Sequence, residues 1–199
     1  RAWASLVLRV AGVRVILENR AVIDSSLPQV LVTNHVSWID VLVLAAFVPG
    51  RYVFVAKKEV ERIPVFGAAV RACGHIYIDR GDKTRALASL DIARKRLEEA
   101  APTVIIFPEG TRSKTGELGL FKKGAFVLAI QTGASVMPAA IFGSREVMKK
   151  GSFLINSGTV RVHFGEPIQV GGYTMENRAR LTHRARQAVS EIQKHYKTS

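Results

Sequence analysis

The feature that most constrains this chain is the alternation of short, mostly apolar, β-rich runs with stretches whose apolar residues recur at helical spacing. The strand candidates are Val13 to Glu18, Val30 to Thr33, Tyr52 to Ala56, His75 to Ile78, Thr103 to Phe107, Val136 to Phe142 and Thr159 to Phe164. Runs this short and apolar suit a sheet covered on both faces. Between them, Lys83 to Glu99 carries Ala86, Leu90, Ala93 and Leu97 on one stripe, and Gly124 to Gln131 is short and apolar. Leu181, Ala185, Ala188, Val189 and Ile192 give a last helix its buried side. The alternation implies an α/β architecture: a single domain with a mixed or largely parallel central sheet flanked by helices. The 199 residues suffice for one such domain without disulfide or metal staples. Gly171 and Gly172 read as a turn before the terminal helix.

The N-terminal run, Trp3 to Leu17, is apolar but is interrupted by Arg9 and Arg14. It is too short to span a bilayer, which takes roughly 20 apolar residues. As a helix it places Trp3, Leu6, Val7 and Val10 on one face and Arg1, Ser5 and Arg9 on another. That amphipathic pattern fits an interfacial helix and fits a core-packing helix equally well. The expected division is a membrane-interface helix and first strand over 1–20, with the main domain over 21–199.

Charge is the unusual property. Lys and Arg number 29 against 16 Asp and Glu, a formal net charge of +13, which points to nucleic acid, anionic lipid or a phosphorylated small molecule. A mean hydropathy of +0.14 favours the membrane surface, because a basic protein that is also net hydrophobic is atypical of nucleic-acid binders. No helix-turn-helix, RNP-like or zinc-finger pattern accompanies the charge, so no nucleic-acid partner is expected. The single cysteine, Cys73, rules out an intramolecular disulfide and a cysteine-based zinc site and fits a reducing compartment. There is no glycine-rich P-loop and no His-X3-His or paired-carboxylate cluster, so neither metal nor cofactor is expected.

Chemistry concentrates at the ends of strand candidates, where α/β proteins place their sites. The segment Thr33-Asn34-His35-Val36-Ser37-Trp38-Ile39-Asp40 follows one of them. His35 and Asp40 could serve as a base and its orienting carboxylate. On one continuous helix, five residues of separation turn the two side chains about 140° apart, so they meet only if a helix begins between them. Ser37 is a suitable N-cap for an apolar helix running through Val41, Leu42, Leu44 and Ala45. A plainer reading also stands: Asp40 completes a capping interaction and His35 is a loop histidine.

Phe107-Pro108-Glu109-Gly110-Thr111-Arg112-Ser113 follows another apolar strand. Pro and Gly force a tight turn, Gly110 allows close approach to the backbone, and the planar fork of Arg112 suits a phosphate; a solvated surface turn is the plainer account. Lys57 and Lys58 follow the third strand candidate, and Asp79 and Arg80 the fourth, where a structural ion pair is the plainer account.

Together these segments resemble the glycerolipid acyltransferase family. His35 to Asp40 looks like its His-X4-Asp motif, Gly74 to Arg80 like its second block, Phe107 to Ser113 like its Glu-Gly-Thr-Arg block, and Val136-Met137-Pro138 like its fourth. All four occur in the family's order. The resemblance implies transfer of a fatty acyl group from acyl-CoA or acyl-ACP to the free hydroxyl of 1-acyl-glycerol-3-phosphate, giving phosphatidic acid. Glycerol 3-phosphate, lyso-ornithine lipid or another lysophospholipid are alternative acceptors, and a non-enzymatic polyanion-binding module, which only the +13 charge supports, is the rival reading.

On this resemblance His35 is the general base and Asp40 fixes its tautomer, with no covalent enzyme intermediate, so Cys73 is not a nucleophile. Arg112, Arg80 and one or both of Lys57 and Lys58 hold the acceptor phosphate. Glu109 orients Arg112 or contacts the acceptor, and Gly110 and Thr111 let the turn close. Trp38, Val65, Phe66 and Leu120 are wall candidates for an acyl groove, or plain core. Leu118 to Lys123 could touch lipid headgroups, or be a loop whose lysines face water. Most of the remaining basic excess, including Arg178 to Arg186, is assigned to membrane adhesion or solubility. The implied location is the cytoplasmic face of the cell's inner membrane, peripheral or monotopic, in contact with an anionic surface.

Overall fold

In the computed structural model, the described residues are 1–58, 75–78, 83–100, 103–152 and 154–198. Their elements in chain order are α1 (Ala2–Val10), β1 (Val13–Glu18), β2 (Gln29–Thr33), α2 (Ile39–Phe47), β3 (Tyr52–Lys57), β4 (Ile76–Ile78), α3 (Lys83–Ala100), β5 (Thr103–Ile106), α4 (Gly124–Thr132), β6 (Ser135–Phe142), α5 (Ser144–Val147), β7 (Gly158–Phe164) and α6 (Arg178–Thr198). The strands form one seven-stranded sheet in the order β1-β7-β6-β2-β5-β3-β4. Every neighbouring pair is parallel except β6 and β7. The expected α/β class and mixed, largely parallel sheet are therefore present, and each strand falls within a residue or two of its expected bounds.

The period of two along the strands sorts their side chains onto two cores. Val30, Val32, Val104, Ile106 and Val136 face a layer that contains Ala93 and Leu97 of α3, Phe126 and Leu128 of α4, and Leu181, Ala185 and Val189 of α6. Leu31, Ile105, Met137, Ile141 and Val162 face the other layer, with Ala4 and Leu8 of α1 and Ile39, Val43 and Leu44 of α2. α1 buries Ala4 and Leu8 and leaves Trp3, Leu6 and Val10 exposed. It is therefore both a packing helix and an amphipathic one.

Pro138 sits in β6, a central strand, where its missing N–H would leave a gap in the ladder. The β6–β7 pairing starts only at Ala139↔Phe164, and the next bridge is Val136↔Ile168, so the β7 side carries one extra residue opposite Pro138. The proline thus lies at a bulge, and its carbonyl accepts a hydrogen bond from Gly165 N–H.

The topology fixes where a site can form. β2 leads through α2 toward β3 on one side, whereas β5, its direct neighbour, leads through α4 to β6 on the other, and the two helices cover opposite faces. The ends of β2 and β5 therefore diverge at a switch point, the place where such sheets open a crevice.

At the far edge, Nδ1 of His75 accepts a 3.1 Å hydrogen bond from Phe54 N–H, extending the β3–β4 pairing by one bond. The ring packs edge-on to Phe54, and burial lowers its pKa to about 4. An unfolded chain protonates this group near pH 6.5, so its contribution to stability is whole above that pH and is lost as the pH falls toward 4. Thermal unfolding between pH 7 and pH 4 is expected to show a Tm decline that is shallower in His75→Asn, which keeps the acceptor and does not titrate; equal slopes would contradict this.

Candidate active site

The end of β2 is held by an asparagine used as a peptide. Asn34 Nδ2 donates to the Ile141 carbonyl at 2.9 Å and its Oδ1 accepts from Ile141 N–H at 2.8 Å. This ties the loop after β2 to β6. Replacing it with an apolar residue would strand two buried backbone groups, at about 1–3 kcal/mol each.

His35 comes next. Its Nδ1 lies 2.8 Å from Oδ2 of Asp40, which is fully buried. The same oxygen accepts the N–H groups of Val36 and Ser37 at 2.8 and 2.9 Å. An oxygen that already accepts two amides faces the ring as an acceptor, so Nδ1 carries the proton and Nε2 is left as the basic nitrogen. α2 begins between His35 and Asp40, as the spacing requires. Its first turn is a capping box one residue earlier than the helical bonds: Ser37 Oγ accepts from Ile39 N–H at 3.2 Å while Asp40 reaches back to Ser37 N–H. The two readings of Asp40, capping and orienting, are both realised by one atom. Ser37 Oγ also donates to the Met148 carbonyl, fixing the cap to the segment after α5.

The end of β5 supplies the floor. The Phe107 ring stacks on His35 with centroids 3.9 Å apart and planes 18° from parallel. Ser113 N–H donates to the His35 carbonyl at 2.7 Å, so both flanks of the Glu-Gly-Thr-Arg turn grip the histidine. Gly110 closes the turn onto the Phe107 carbonyl at a φ of +81°, where a side chain would be strained.

Glu109 departs from expectation. Its carboxylate binds backbone and makes no ion pair with Arg112: Oε1 accepts from His35 N–H and Oε2 from Gly119 N–H, both at 2.9 Å. A buried carboxylate needs donors, and two backbone amides supply them. Burial pushes its pKa upward, and the Gly119 and His35 amides work against that shift. The Arg112 guanidinium lies 4.9 Å from the Trp38 ring centre, a cation–π contact. Burial lowers its pKa and the charge of Asp40 opposes this. Trp38 thus supports an arginine.

Residues 14–142 match the Acyltransferase family model, a span that includes all four motif blocks. The chain belongs to the acyltransferase family. A chloroplastic 1-acyl-sn-glycerol-3-phosphate acyltransferase of Arabidopsis thaliana is 38% identical over 146 residues, 73% of this chain and 40% of that protein. The human 1-acyl-sn-glycerol-3-phosphate acyltransferase alpha is 30% identical over 181 residues, 91% of this chain and 64% of its own. The chain therefore spans under two thirds of the length of either relative. Among solved structures, the 1-acyl-sn-glycerophosphate (LPA) acyltransferase PlsC from Thermotoga maritima superposes with a TM-score of 0.79 at 27% identity, covering 96% of this chain and 77% of that one.

The fold brings together His35, Asp40, Glu109, Gly110 and Arg112. Thr111 is exposed on the same turn, and Lys58 is exposed at the end of β3. Lys57 ends β3, its side chain outside the described residues, as are Val65, Phe66, Cys73, Asp79 and Arg80. Leu120 is 82% exposed, and the neighbouring Phe121 takes the core position. A cavity of about 550 Å³ borders Asn34 and Val36 and includes Arg14, Arg145 and Arg161. Two of these arginines are engaged, Arg145 with the Thr115 carbonyl and Arg161 with Glu18. Asn34 and Phe107 escaped sequence reasoning as working parts. Their only signal was adjacency to His35 and Glu109.

Proposed function

We propose that this acyltransferase moves a fatty acyl group from acyl-CoA or acyl-ACP to the free hydroxyl of 1-acyl-glycerol-3-phosphate, giving phosphatidic acid. The observation that carries the reading is the His35–Asp40 pair at 2.8 Å, set at the sheet's switch point beside Arg112. The names of the Arabidopsis, human and Thermotoga relatives supply the acceptor.

In this reading Nε2 of His35 takes the acceptor hydroxyl's proton as that oxygen attacks the thioester carbon. The tetrahedral intermediate collapses, the C–S bond breaks, and the imidazolium returns the proton to the departing thiolate, leaving a free thiol. Asp40 stabilises the imidazolium between these steps and keeps Nδ1 protonated. The thioester is already activated, so no acyl-enzyme is needed. Arg112, with Arg80 and Lys57 or Lys58, holds the acceptor phosphate. Glu109 acts through the backbone of His35, not on substrate.

His35→Ala is expected to lower acyl transfer by roughly 10²–10⁴-fold in a folded protein, whereas Arg112→Ala chiefly raises the KM for the phosphorylated acceptor. Steady-state assays with a labelled donor and a panel that adds glycerol 3-phosphate and lyso-ornithine lipid measure both. A folded His35→Ala enzyme with near-native turnover contradicts the mechanism, and preference for another panel member contradicts the acceptor.

The same reading places the enzyme on an anionic membrane surface at the cytoplasmic face of the inner membrane. Trp3, Leu6 and Val10 of α1 are 59%, 56% and 80% exposed, and exposed Leu120 is followed by exposed Lys122 and Lys123. Among the described residues no helix is long and apolar enough to cross a membrane, so attachment through them is interfacial. Sedimentation is expected to show tighter binding to anionic than to neutral vesicles, weakened by Trp3→Ser with Leu6→Ser; equal binding to both vesicle types removes charge from the account.

A further inference from the structure

The basic terminal helix α6 holds one arginine that does not behave as a surface charge. Arg186 is half-buried, and its guanidinium turns inward: Nε donates to the Gly119 carbonyl and Nη2 to the Leu118 carbonyl, both at 2.9 Å. Gly119 N–H in turn donates to Glu109 Oε2, and Glu109 Oε1 accepts from His35 N–H. These bonds form one unbroken chain from the last helix, through a loop and a buried carboxylate, to the backbone of the histidine.

We propose that Arg186 is a positioning residue for acyl transfer, holding the 118–119 loop so that Glu109 can fix the backbone of His35. Three features make the chain more than a set of neighbouring contacts. A planar guanidinium meets two successive carbonyls with two parallel donors, a geometry a lysine cannot reproduce. The loop has no slack at its centre, since a Cβ on Gly119 would stand 2.9 Å from Glu109 Oε2. Glu109, buried between two amides, has no second way to hold both, so displacement of Gly119 either unpairs one oxygen or moves the carboxylate off His35. The inference rests on the acyltransferase reading for its kinetic consequence, and on the hydrogen bonds alone for its structural one.

The test measures turnover and amide hydrogen exchange in the same variants. Arg186→Ala is expected to lower kcat by roughly 10- to 100-fold, leave acceptor KM within about twofold, and speed exchange at the His35 and Gly119 amides. Ethylguanidinium added to that variant restores part of the rate. Arg186→Lys, which keeps the charge and most of the packing, falls between the two and serves if the alanine variant does not fold. Arg186→Ala combined with Glu109→Gln loses no more than the worse single variant, because both break one chain. Gln187→Ala, an exposed neighbour on α6, retains full activity. Native kcat and native His35 exchange in Arg186→Lys and Arg186→Ala, or multiplicative losses in the double variant, overturn the proposal. A wild-type protein with no acyl transfer refutes the functional reading, while the exchange rates still decide whether Arg186 holds His35.

Discussion

One carboxylate oxygen, Oδ2 of Asp40, meets the ring of His35 and the amides of Val36 and Ser37 inside the protein. Each contact depends on the others. The amides hold the carboxylate where the imidazole can reach it, the helix start that those amides define lets residues 35 and 40 face one another, and the buried setting strengthens all three bonds. Remove the carboxylate and the chain loses its helix cap and its histidine tautomer at once. A motif of two residues at fixed spacing is therefore also a folding signal, and local structure and chemistry cannot be separated at this point.

The rest of the architecture delivers partners to that oxygen's neighbourhood. Strand order puts the ends of β2 and β5 side by side, so that Phe107 stacks on the histidine and Glu109 takes its backbone amide. Asn34 couples the same loop to β6. His35 is consequently held at four points: its Nδ1 by Asp40, five residues on, and its ring face, its amide and its carbonyl by Phe107, Glu109 and Ser113 of the single turn after β5. Such over-determination suits the proton-transferring role proposed for His35, whose remaining nitrogen must point in one direction before substrate arrives.

Much of this was legible in the sequence, and the failures have a common cause. Strand positions followed from β-branched runs such as Val30 to Thr33, and the helix start from Ser37 and Asp40, because these are local signals. The hold of Glu109 on the backbone was not legible because its partners, His35 N–H and Gly119 N–H, are brought close only by tertiary folding. Arg186 was grouped with a solvated basic face for the same reason: nothing in its helical surroundings announces two carbonyls of a loop 67 and 68 residues away. Side chains that bind backbone leave no pattern in residue types. Those that bind other side chains, as His35 and Asp40 do, leave one in their spacing.

The central claim, that Asp40 makes His35 a base by holding its proton on Nδ1 and stabilising the imidazolium, is tested most directly by the acyl-transfer rate of Asp40→Asn, a change that preserves shape and removes the carboxylate's charge. The account predicts a loss of roughly 10³–10⁴-fold with the fold retained. A folded Asp40→Asn protein working within about threefold of the wild type would contradict it.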